Sequence, residues 1–151
     1  MYTLSVTSEA FESRRFIFII RVQRETHVSS EAALPANCNR NATVAPGDTC
    51  DFISAKYNVS TYQLAAVNTG IIDPGCQNLY IGELLCLGLT GRDCQTTYVV
   101  RFGETCVDIA RSHNISMNAL LSNNPNLNQI CTNLYSDEVL CVSSTIYGNL
   151  T

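Results

Sequence analysis

The chain has 151 residues, with 9 Lys plus Arg against 13 Asp plus Glu, a net charge of -4, 8 Cys and 46% hydrophobic residues. That is enough for one ordinary domain or two very small ones. Nucleic-acid binders need clustered cations to displace phosphate counterions, but residues 38–151 hold only Arg40, Lys56, Arg92, Arg101 and Arg111 against nine carboxylates. The longest apolar run, Phe16 to Ile20, falls far short of the roughly 20 residues a spanning helix needs. Neither nucleic acid nor membrane is therefore expected as a partner.

Residues 1–37 contain no Cys and read poorly as a signal peptide, because their apolar stretch is short and preceded by Glu9 and Glu12. They are expected to be a poorly ordered tail, with the true start missing or misassembled. His27 lies in this tail. The remainder points outside the cell: an acidic, Lys-poor chain rich in Cys suits an oxidising compartment. Four Asn-X-Ser/Thr acceptors, Asn41, Asn58, Asn114 and Asn149, agree with secretion and are candidate glycosylation sites.

From Cys38 onward the elements follow turn, cap and periodicity signals. Thr43 to Ala45 reads as a strand running into Gly47, whose freedom at positive φ permits a turn. Asp48 and Thr49 then offer side-chain acceptors to the first N–H groups of a helix, and Asn58, which tolerates the left-handed conformation, ends it. Ser60 with Gln63 predicts a capping box, and Val59 with Leu64 a hydrophobic staple, for a second helix stopping near Asn68. Leu84 to Leu87 reads as the closing strand.

After a connector over residues 88–93 the order recurs. Thr97 to Arg101 is a strand, Gly103 and Thr105 open a helix that stops at Asn114, and Ser116 with the Ile115 to Leu120 staple opens another that stops near Asn124. Val139 to Ser143 closes the unit. The cysteines fall at 38, 50, 76, 86 and at 94, 106, 131, 141, so the gaps of 12, 26 and 10 return as 12, 25 and 10. A shift of 56 positions superimposes Gly47 on Gly103, Thr49 on Thr105 and Asn68 on Asn124; a shift of 55 then brings Asn78, Tyr80 and Glu83 onto Asn133, Tyr135 and Glu138. Two repeats stand side by side, 38–87 and 94–142, followed by a C-terminal tail at 143–151.

The economical packing for strand, helix, helix, strand is an antiparallel strand pair covered by a helical hairpin, an α+β fold repeated twice. Each unit of about 50 residues is near the size where disulfides supplement burial, at about 2 to 4 kcal/mol per bridge. Four cysteines allow three connectivities. Antiparallel strands favour Cys38 with Cys86 and Cys94 with Cys141, which leaves Cys50 with Cys76 and Cys106 with Cys131. Tyr80 and Tyr135 are expected mostly in the core, and His113 as an exposed helix-end residue.

The triplets Gly47-Asp48-Thr49 and Gly103-Glu104-Thr105, the pair Asn124-Pro125 and the run Leu79-Tyr80-Ile81-Gly82 resemble the lysin motif (LysM) family. The four-cysteine form of each copy is similar to small secreted fungal proteins of that family that bind chitin. What the resemblance implies is a βααβ unit that recognises chitin or N-acetylglucosamine oligomers in a shallow groove, without cofactor or metal and without catalysis. Carried over, the first groove sets Pro46, Gly47, Asp48 and Thr49 against Asn68, Thr69, Gly70, Ile71 and Ile72. The second sets Phe102, Gly103, Glu104 and Thr105 against Asn124, Pro125, Asn126 and Leu127. Copy one departs from the family with Thr69-Gly70 where Pro is usual, and copy two with Glu104 for Asp.

Backbone amides and small apolar walls such as Ile71, Ile72 or Leu127 suit the N–H, C=O and methyl of an N-acetyl group. Two grooves on one chain add avidity if one polymer reaches both. The roles implied are sequestering chitin fragments or shielding a fungal wall; a ligand-induced dimer on one oligomer and peptidoglycan as a variant ligand stay open. Three other classes compete. A zinc protein lacks any Cys-X-X-Cys pair. A small secreted disulfide-rich glycosidase acting on chitin or peptidoglycan needs one carboxylate pair in a cleft, whereas Asp48 with Glu104 and Glu83 with Glu138 recur as fold positions do. A structural or inhibitory cysteine-rich protein needs no sugar site at all.

Overall fold

A computed structural model describes residues 33–147 and residue 150. Asn149, His27 and most of the expected N-terminal tail lie outside the described residues. The element order is β1 (Cys38–Thr43), α1 (Cys50–Tyr57), α2 (Thr61–Val67), β2 (Leu84–Leu89), then β3 (Thr97–Val99), α3 (Cys106–Ser112), α4 (Met117–Asn123) and β4 (Val139–Cys141). β1 pairs antiparallel with β2, and β3 with β4. The fold is α+β, two strand–helix–helix–strand units in tandem.

The helices are short and owe their limits to caps. Thr49 and Thr105 accept from the N–H groups of Phe52 and Asp108 at 3.2 Å each, and Ser60 and Ser116 from those of Gln63 and Ala119 at 3.1 and 3.0 Å. Asn58 and Asn114 take left-handed φ values of 51° and 55°. Val59 and Leu64 are both fully buried, as the staple predicts. Within each unit one apolar cluster lies between the strand pair and its helices: Ile53, Leu64, Ile72, Leu85 and Leu87 in the first, Ile109, Leu120, Leu127, Leu140 and Val142 in the second.

The disulfides are Cys38–Cys86, Cys50–Cys76, Cys94–Cys141 and Cys106–Cys131, with Cα separations of 5.9, 6.1, 6.0 and 6.3 Å. The outer bridge joins β1 to β2 in the first unit and, in the second, ties Cys94, ahead of β3, to the end of β4; the inner one joins the start of the first helix to the loop after the second.

Several elements differ from the sequence reading. β1 begins at Cys38, well before Thr43, because its polar residues alternate with inward positions and its ladder is made by β2. The predicted Val44 extends that ladder, its N–H donating to Glu83 O at 2.9 Å and its carbonyl accepting from Gly82 N–H at 2.8 Å. The connector is no loose link. β2 runs on through Gly88 and Leu89, Leu89 bridges to Arg92, and the Asp93 carboxylate sits so close over Gly88 that any Cβ there would collide with it.

Asp93 is the hub of this corner. Arg40 donates to it twice, from Nε and Nη2 at 2.7 Å each, and Gln63 Nε2 donates at 2.8 Å. Burial pushes the Asp93 carboxyl up, but the hydrogen bonds from Arg40 and Gln63 and the Arg40 charge outweigh it and hold the group below the ordinary carboxylate range. Gln63 therefore completes only half of the predicted capping box. Its backbone N–H meets Ser60, while its buried side chain turns away to Leu87 O, Asp93 and Cys94 N–H.

The two repeats pack on each other, β4 and β3 of the second against the helices of the first. Thr61 Oγ1 donates to Asp51 Oδ1 at 3.2 Å and accepts from Val139 N–H at 3.0 Å, and Tyr135 OH donates to the same Asp51 oxygen at 3.2 Å. The flanks are also docked. Asn37 O accepts from Thr90 N–H, Leu34 packs on the cluster of Val67 and Leu89, and Asn123 holds Ser143 O, Thr145 O and Tyr147 N–H.

Candidate functional site

In each repeat the first predicted wall is a tight turn locked by its own acid. Gly47 and Gly103 have φ of +86° and +83°, a conformation that excludes side chains even though the space around them is open. Asp48 Oδ2 accepts from Ala45 N–H at 2.8 Å, and Glu104 Oε2 accepts from the aligned Arg101 N–H at the same distance. The Glu-for-Asp departure thus keeps the contact, the longer side chain reaching the same donor. Glu104 also accepts from Tyr98 OH at 2.7 Å. The Arg101 N–H holds the Glu104 carboxyl below its ordinary range, and the same carboxylate raises the Tyr98 phenol.

The second wall hangs from an asparagine turned inward. Asn68 and Asn124 are buried, and their carbonyls accept from Ile71 and Ile72 N–H and from Leu127 N–H at 2.9 to 3.0 Å. Their side chains are spent on the closing strands, so they carry the loops from beneath. Asn78 and Asn133 clamp the loops from the far side, donating to Ile71 O and Asn126 O at 2.8 Å each. These clamps were not expected as site residues; their recurrence in both copies was the available signal. Thr69 Oγ1 donates to Ala66 O, which fastens the segment where copy one lacks proline.

Pro46, Gly47, Thr49, Thr69 and Gly70 are exposed, as are Phe102, Gly103, Thr105, Pro125 and Asn126; Asp48, Ile71 and Glu104 are half-buried, and Ile72 and Leu127 are buried. What ties wall to wall is the inner disulfide, Cys50 following Thr49 directly and bridging to Cys76, with Cys106 and Cys131 repeating the arrangement. Two clefts border single walls. One of about 580 Å³ runs along α2 beneath residues 69–74, and one of about 600 Å³ lies on β3 between Phe102 and Asp137. Phe102 is 95% exposed beside the latter.

Other residues fall elsewhere than expected. Tyr80 and Tyr135 are 69% and 46% exposed, each just ahead of the turn into its closing strand, with the Tyr135 hydroxyl drawn away from its own core to Asp51. Burial and the nearby Asp51 and Glu138 charges raise the Tyr135 phenol well above its ordinary value. His113 is half-buried, its ring edge-on to Tyr98 at 4.7 Å. Asn41, Asn58 and Asn114 are exposed. Glu138, aligned with Glu83, is fully enclosed, and burial together with the Asp51 charge raises its carboxyl against the opposing bond from Asn126.

The LysM domain model matches residues 42–88 and 98–143, the two repeats. A secreted LysM effector of Pochonia chlamydosporia (strain 123) is 28% identical over 130 residues, covering 74% of this chain and 34% of its own. A non-secreted LysM effector, LCP1, of Gibberella moniliformis (strain M3125 / FGSC 7600) is 32% identical over 121 residues, covering 79% of this chain and 16% of its own. This chain therefore spans about a third or less of the length of those two relatives. The secreted LysM effector Blys5 of Beauveria bassiana (strain ARSEF 2860) matches nearly end to end, 25% identical over 93% of this chain and 99% of its own. With both repeats matched on the strands, caps and loops described above, the chain belongs to the LysM domain family.

Proposed function

We propose that this chain is a non-catalytic, secreted carbohydrate-binding protein that recognises β-1,4-linked N-acetylglucosamine oligomers of chitin through the paired loops of each repeat. The observation that carries this reading is the repetition of one device: a self-locked turn with open backbone, stapled by a disulfide to a second loop hung from a buried asparagine. Such loops are pre-organised, so little ordering entropy opposes binding. Their exposed main-chain groups and small apolar neighbours suit an uncharged acetylated sugar.

The glycosidase alternative is disfavoured by Glu138. A general acid must come within hydrogen-bond reach of the glycosidic oxygen, and this carboxyl, raised by burial as a general acid would need, is sealed from solvent. The role that follows is sequestering chitin fragments or shielding a fungal wall. Calorimetric titration with N-acetylglucosamine oligomers of increasing length, with cellohexaose as control, tests this. Heat that grows with chitin oligomer length and is absent with cellohexaose is expected, and the stoichiometry separates one protein per oligomer from a ligand-induced dimer. A flat chitin trace, equal heat from cellohexaose, or release of shortened sugars overturns the reading.

A further inference from the structure

The repeats part company at one aligned position. Asn126 stands in the second where Ile71 stands in the first, each with its carbonyl clamped by the aligned asparagine. Ile71 packs on its core, whereas Asn126 is exposed and its Nδ2 donates to Glu138 Oε1 at 2.6 Å. Glu83, the counterpart of Glu138, only closes its own turn by accepting from Tyr80 N–H at 3.3 Å. Glu138 reaches out to the loop instead, through its Oε1. The difference has a cause in the packing: the first repeat covers the start of β4 through the Thr61, Asp51 and Tyr135 bonds, so Glu138 is enclosed and its Oε2 has no hydrogen-bond partner.

We propose that Glu138 is a positioning residue for the second groove, gripping the Asn126 amide so that its Oδ1 is presented as a fixed acceptor where the first groove has an apolar wall. This rests on the reading of residues 124–127 as a wall of a sugar groove. An ionised carboxylate accepts more strongly than a protonated one, so the grip tightens with rising pH. The titratable groups facing Glu138 are Asp51 on α1 and Tyr135 on its own turn; among the described residues no ion pair reaches it. Asp51 and burial together shift that tightening above the ordinary carboxylate range. The first groove, with Ile71, has no such response.

The test is an amide-resolved NMR titration of the whole chain with the N-acetylglucosamine tetramer, from pH about 4 to about 8. Gly47 and Ile72 report the first groove, Gly103 and Leu127 the second. Second-groove affinity is expected to rise about threefold with pH in the wild type and to stay flat in Glu138→Gln. Asn126→Ile, an exposed substitution that leaves the buried carboxyl in place, should lose the pH response while the first groove is unchanged. A purely structural role would move thermal stability without moving this profile. The proposal is overturned if Glu138→Gln keeps the wild-type profile, or, should that variant not fold, if Asn126→Ile does. Absence of shifts in both grooves would instead sink the sugar-binding reading itself.

Discussion

Asn68 grips the backbone of Cys86 on both sides, its Oδ1 accepting from the Cys86 N–H at 2.8 Å and its Nδ2 donating to the Cys86 carbonyl at 2.7 Å. The same Nδ2 donates to Leu64 O at 2.7 Å. Asn124 repeats all three contacts with Cys141 and Leu120. One side chain thus welds the end of a helix, the closing strand and the loop that hangs from its own carbonyl. Asn68→Ala removes three partners of buried backbone groups and should cost about 3 kcal/mol in urea denaturation; Asn124→Ala strands only the two Cys141 groups, since Leu120 O still accepts from the Asn124 N–H, and should cost about 2 kcal/mol. Amide exchange in residues 69–72 or 125–127 should accelerate beyond the global change.

Asp93 gives a pH-dependent prediction. Its folded value is depressed, so the stability it contributes is present above the ordinary carboxylate value and is lost as pH falls through the lowered one. Asp93→Asn should destabilise by about 2 kcal/mol near neutrality. The gap to the wild type should close as pH falls through the lowered value of Asp93, where both side chains are neutral.

Glu138 carries the opposite sign. Its folded value is raised, so the stability associated with it is present at low pH and is lost as pH climbs from the ordinary carboxylate value through the raised one. Unfolding free energy measured at pH about 5 and about 8 should therefore fall more steeply in the wild type than in Glu138→Gln. A parallel pair of slopes would show that the carboxyl ionises as freely in the folded chain as in the unfolded one.

The contact between repeats predicts coupling. Thr61 and Tyr135 both donate to Asp51 Oδ1, from different repeats. Thr61→Val should cost about 1.5 kcal/mol, since it also strips Val139 N–H of its acceptor, and Thr61→Ser should restore most of it. Tyr135→Phe should cost less, and the double variant should deviate from additivity by at least about 0.5 kcal/mol.

Signals confined to a few neighbouring residues were legible in the sequence. Caps at Thr49, Ser60, Thr105 and Ser116, helix stops at Asn58 and Asn114 and the Val59 to Leu64 staple all depend on local geometry, and the duplicated spacing gave the two-unit plan. What escaped depends on partners distant in the chain. Gln63 abandons its capping role because Asp93 and Cys94, some thirty positions on, offer better-placed groups. Tyr135, next to Leu134 ahead of the closing strand, reads as a core residue, yet its hydroxyl is drawn to Asp51 in the other repeat. Of the candidate groove, the turns were readable from Gly and the acid after it, while the inward commitment of Asn68 and Asn124 was not, because a buried amide and a ligand-facing one look alike in a string of letters.

The seat of Asp93 has a practical consequence for anyone dividing the molecule. By alignment it belongs to the spacer, but its carboxylate completes the architecture of the amino-terminal unit, and the residue after it is already pinned by Gln63. Expressing either unit alone, trimmed where the motif ends, would strand Arg40 without its counter-charge or strip the cover from Glu138. The pair is better treated as one indivisible body with two unequal faces, and dissection by point substitution will report more faithfully than dissection by truncation.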